Sequence, residues 1–130
     1  MNLTTYNMKG HRSFQLDRIG NRLLSGGDND LAMCACDIGL GMGVFKSLQM
    51  EHLLPKARFE YKYIKSLAYN IYYSAEILKG MRGFPIKQEN YFKFLLKLIF
   101  TFRFSSRDGA IQRACMRGSY MGIKKFKLLT

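Results

Sequence analysis

The 130-residue chain has no apolar run near the ~18–20 residues that a bilayer span requires. Met1 to Gly20 is polar and lacks the apolar core of a signal peptide. Two prolines and no low-complexity run argue against a linker or a fibre. Cysteine is scarce. Cys34, Cys36 and Cys115 form an odd set without Cys-x-x-Cys spacing, which fits neither a disulfide framework nor a zinc ribbon. On a helix Cys34 and Cys36 would point about 200° apart, a poor chelate. Free thiols in a reducing compartment are the expectation. Acidic residues are scarce too: nine, against 21 Lys and Arg, for a net charge of +12.

Apolar residues make up 48% of the chain and aromatics 14%, too many for a disordered polymer. The length gives room for one domain. The charge is divided unevenly along it. Residues 1–45 hold Lys9, Arg12, Arg18 and Arg22 against Asp17, Asp28, Asp30 and Asp37, and are neutral. Residues 46–130 hold 17 basic and 5 acidic groups and carry the whole excess. Such a back half points to an anionic partner: a membrane surface, a phosphorylated substrate or nucleic acid. Nucleic acid is the weakest of these, because no recognised motif accompanies the charge.

Residues 14–24 read as a short hairpin turning at Ile19-Gly20-Asn21. A helix is expected from Asp28 to Ile38, capped by Asp28 or Asn29 and stopped by Gly39. Val44 to Met50 reads as a strand. Glu60 to Lys79 is a second helix with a stripe of Ile64, Leu67, Ala68, Ile71, Ala75 and Leu78, ended by Gly80. A third helix is expected from Tyr91 to Phe104, with Lys93 and Lys97 one turn apart. A fourth runs from Arg107 to Lys124, capped by Ser105 or Ser106. Its Ala110, Ala114, Gly118 and Gly122 recur every four residues and would let another helix approach closely, in a membrane pair or in ordinary soluble packing.

Ser25-Gly26-Gly27-Asp28-Asn29-Asp30 places two carboxylates behind a flexible glycine pair at a helix start. One of them could take a proton from a hydroxyl as a general base. Helix capping explains the same residues without chemistry. His52, beside Glu51, could bind a metal or a phosphate, although a lone histidine is more often structural. Gly39-x-Gly41-x-Gly43 lacks the dinucleotide-binding pattern. The row Arg58, Lys62, Lys65, Lys79, Arg82 and Lys87 reads as a solvated helix face. Residues 91–104 could lie in a headgroup plane as a basic amphipathic helix or pack into a core.

The order of these pieces resembles the C-terminal half of family 2 glycosyltransferases with the GT-A fold. The matching set is Leu23-Leu24-Ser25-Gly26-Gly27-Asp28-Asn29-Asp30-Leu31-Ala32, a helix stop at Ile38-Gly39-Leu40-Gly41, a strand, Glu51-His52-Leu53-Leu54-Pro55-Lys56-Ala57-Arg58, and Tyr61 opening a long helix. It covers roughly residues 14–78. The resemblance implies a mainly α chain with a few short β-strands, a C-terminal fragment of that α/β fold followed by a helical tail. It divides the chain into an acceptor-side part, residues 1–58, and a basic helical region, residues 59–130. It implies inverting transfer from a nucleotide-sugar to a glycan or lipid-linked acceptor, with Asp28 as the base. Asp30 and Arg58 would meet the acceptor. His52 would bind a divalent metal, Mg or Mn. Gly27 stands where the family more often has Glu. No Asp-x-Asp precedes Asp28, so the nucleotide-binding half is absent and no catalysis is expected from the chain alone. The expected location is cytoplasmic, peripheral on the inner face of the cytoplasmic membrane. The alternative is a stand-alone basic helical module that binds anionic membrane or nucleic acid. As a half-fold, the chain would expose an unpaired edge strand at Val44–Met50 and aggregate.

Overall fold

The computed structural model describes residues 23–87, 90–102 and 106–128. Helix α1 spans Gly27–Asp37, a short 3-10 turn spans Lys56–Phe59, and three longer helices follow: α2 (Tyr61–Met81), α3 (Tyr91–Phe102) and α4 (Arg107–Lys127). Apart from its last two residues, the expected hairpin lies outside the described residues.

Among the described residues there is no strand, which overturns the expectation of an α/β GT-A fragment. Val44–Met50 is irregular backbone with a turn closed by the Leu48 N–H on the Phe45 carbonyl at 3.1 Å. The segment has no ladder partner among the described residues, and water satisfies its peptide groups more cheaply than isolated pleating would. Its side chains follow: Val44, Leu48 and Met50 are all exposed.

The helix ends have local causes. Gly39 adopts φ 86° after α1, and the Leu40 N–H reaches back to the Ala35 carbonyl at 3.0 Å. Gly83 does the same for α2 at φ 74°, with the Phe84 N–H on the Lys79 carbonyl at 2.9 Å. Both are left-handed C-terminal caps in which glycine avoids the Cβ clash. Gly80, expected to end α2, lies inside it. The Ser106 hydroxyl accepts from the Gly109 N–H at 3.2 Å and caps α4, an interaction worth about 1 kcal/mol. Asp108 in the first turn of α4, and Lys124, Lys125 and Lys127 in the last, suit the helix dipole.

Helices α2 and α4 run side by side in the same direction. The Tyr61 hydroxyl bonds to the Arg107 carbonyl at 3.4 Å, Gly118 lies on the Tyr69 carbonyl, Gly122 lies on that of Tyr73, and Gly80 lies under the Phe126 ring. The every-fourth-residue row of α4 is therefore the seam of this pair, with Ala114, Gly118 and Gly122 buried. Helix α3 returns antiparallel. Phe94 stacks on Tyr120 at 4.3 Å between centroids, and Arg113 donates to the Thr101 carbonyl at 2.7 Å. Ile77 and Leu78 form the centre of the core, with Met33, Tyr73, Met81 and Phe126 around them. Of the expected α2 stripe, Leu78 lies in the core and Leu67, Ala68 and Ala75 are half-buried, whereas Ile64 and Ile71 are exposed; Ser74 and Ile77, outside the stripe, are fully buried.

Candidate functional site

The carboxylate pair at the start of α1 separates into two different environments. Asp28 is exposed in the first turn, and its Oδ1 accepts from the Asn29 N–H at 2.9 Å. Asp30 is buried at 8% exposure. Its burial is compensated by Arg82, the residue that follows α2. Arg82 Nε and one terminal nitrogen donate to Asp30 Oδ1 at 2.8 and 2.7 Å. The same nitrogen donates to the Asp30 carbonyl at 2.8 Å and contacts Cys34 Sγ at 2.9 Å. The other terminal nitrogen pairs with Asp37 at the far end of α1. One guanidinium thus clamps α1 at both ends onto the C-terminus of α2. The planar five-donor fork of arginine suits such a site better than a lysine ammonium would.

Burial alone would lower the Arg82 pKa. Hydrogen bonding and attraction from Asp30, then hydrogen bonding from Asp37, outweigh it and raise the pKa above the ordinary value. Arg82 therefore belongs to the core and not to a solvated face: its side chain is 8% exposed. This corrects the sequence reading. No local pattern marks it, because Asp30 lies 52 residues away in the chain. The only sequence hint is an arginine set against the glycine that ends α2.

The backbone entering α1 is tied down as well. The Ser25 N–H donates to the hydroxyl of the fully buried Ser74 at 3.3 Å. A cavity of about 350 Å³ opens at this helix start, lined by Ser25, Gly26, Asn29 and Met33 around α1 and by Ile71, Leu78 and Phe84 from α2 and the residues after it. Its size lies within the usual range for small-molecule pockets. Asp28 is not among the lining residues but adjoins one of them, Asn29, in the chain. A larger cavity of about 690 Å³ lies between α2, α3 and α4, away from the carboxylates, and includes Tyr72, Lys97, Cys115 and Tyr120. Burial pushes the Cys115 thiol up from its ordinary pKa, as expected of an unreactive packed cysteine.

The other expected site residues are not gathered here. His52 is exposed in the irregular stretch before Pro55. Arg58 is half-buried in the 3-10 turn, with its N–H on the Pro55 carbonyl at 2.9 Å. Among the described residues no hydrogen bond or ion pair joins either of them to Asp28 or Asp30. Nor does any group of three His, Cys, Asp or Glu side chains converge there to hold an ion. No family model, curated protein or solved structure matches the chain.

Proposed function

We propose that the chain supplies the acceptor side of a glycosyl-transfer site, with Asp28 as general base and the nucleotide-sugar held by residues that this chain lacks. The carboxylate would remove the proton from an acceptor hydroxyl as its oxygen bonds to the anomeric carbon. The bond from that carbon to the departing nucleoside diphosphate breaks in the same displacement, with inversion. The observation that carries the reading is the division of labour at the start of α1. Arg82 fixes the helix through Asp30 and Asp37, which leaves Asp28 facing solvent at the end where a cavity opens. The sequence runs Leu23–Ala32 and Glu51–Arg58 support it; the strand expected between them does not form.

A second observation favours a missing partner. From Leu40 to Leu53 the apolar side chains Met42, Val44, Phe45, Leu48 and Met50 are all exposed. So much uncovered apolar surface in one segment marks a surface that something else covers. A nucleotide-sugar donor would place the reaction on the cytoplasmic side, at the inner face of the membrane if the acceptor is lipid-linked.

The test is to combine the chain with a nucleotide-sugar-binding half and assay transfer of radiolabelled sugar to glycan and lipid-linked acceptors. Transfer that needs both pieces is the expected result. No transfer across donors, with both pieces folded and associated, would remove the reading.

A further inference from the structure

We infer that the outward face of α3 docks on an anionic lipid bilayer, with the helix lying in the plane of the headgroups. This does not rest on the sugar-transfer reading. Helix α3, Tyr-Phe-Lys-Phe-Leu-Leu-Lys-Leu-Ile-Phe-Thr-Phe, is apolar around nearly its whole circumference. One side is used: Phe94 is buried on Tyr120, and Thr101 meets Arg113. The other side is not. Phe92, Leu96, Ile99 and Phe100 are 66%, 45%, 57% and 74% exposed. At 3.6 residues per turn these four occupy an arc of about 100°, a continuous apolar strip.

The lysines select the occupant. Lys93 and Lys97 flank the strip along one border, between the exposed arc and the buried one. There the Lys93 stem can lie along apolar surface while its ammonium group reaches phosphate. Basic border, aromatic and leucine face, and no acidic residue within α3 is the composition of an interfacial helix. The surrounding chain adds charge of the same sign, since residues 46–130 hold 17 basic groups against 5 acidic. Among the described residues no helix is long and apolar enough to cross a membrane. The geometry is that of a helix lying on the surface.

Flotation of the full chain with phosphatidylglycerol-containing vesicles, against phosphatidylcholine alone, tests this. The chain should float with the anionic vesicles and lose affinity as salt rises. Phe92→Glu with Phe100→Glu should weaken binding by about tenfold or more. Lys93→Gln should weaken it by about fivefold. Helicity by circular dichroism should be unchanged in these variants, because Phe92, Lys93 and Phe100 are exposed. Failure of the wild-type chain to float, or equal flotation of the double-Glu variant, would overturn the proposal. So would a dimer in sedimentation equilibrium that the double-Glu variant dissociates, because a second copy would then cover the face.

Discussion

Arg82→Ala should destabilise the chain by about 3–5 kcal/mol and release α1 from the bundle. The magnitude follows from what is left behind. The Asp30 side chain is 11% exposed and its Oδ1 accepts two hydrogen bonds from Arg82. Removing the guanidinium strands that carboxylate in a site shaped for an ion pair. Asp37, 44% exposed, simply returns to water and adds little. For a domain with a total stability of about 5–15 kcal/mol the loss is a large fraction. Arg82→Lys should recover only part of it, because one ammonium cannot span Asp30, the Asp30 carbonyl and Asp37 together. Urea unfolding followed by circular dichroism checks this. A loss below about 1 kcal/mol for Arg82→Ala would mean that the pair is a bystander.

Gly118→Ala should cost about 2–3 kcal/mol, which lowers the melting temperature by roughly 10 °C. A methyl group there would sit 2.2 Å from the Tyr69 carbonyl oxygen and 3.2 Å from the Tyr73 nitrogen. Both atoms are backbone inside α2, so the helices must part instead of a side chain rotating. Parting them opens the layer around Ile77 and Leu78. The gain in helix propensity, about 1 kcal/mol, opposes the loss but is smaller. Gly80→Ala provides the contrast. Its methyl group would meet the Phe126 ring at 2.7 Å, a side chain in the last turn of α4 rather than backbone inside a helix. Its net effect should lie within about 1 kcal/mol of zero. Equal effects for the two variants in thermal melts would contradict the close-contact account of the seam.

The helices were legible because their signals are local. Gly39 beyond α1, Ser106 before α4 and the four-residue spacing from Ala110 to Gly122 each act within a turn or two, and each does so in the structure. The strand at Val44–Met50 was misread because a short stretch of sequence does not say whether a partner is present to pair with it. The α2 stripe held at Leu78 and failed at Ile64 and Ile71 for a related reason. The closest approach is made by glycines on α4 against the α2 backbone, and this turns Ser74 and Ile77 inward while Ile71 lines a cavity. Of the site, the carboxylates Asp28 and Asp30 were visible as a pair. Their different environments were not, since Arg82 reaches Asp30 only through the tertiary fold.

The two carboxylates also offer the most direct test. In the combined assay with a nucleotide-sugar-binding half, Asp28→Asn should reduce transfer by about 100-fold or more, the scale of a lost general base. Its melting temperature should be unchanged, because the residue is exposed. Asp30→Asn should do the reverse, lowering the melting temperature while the folded fraction keeps most of its transfer rate. Full activity in Asp28→Asn would contradict the assignment of Asp28 as the base.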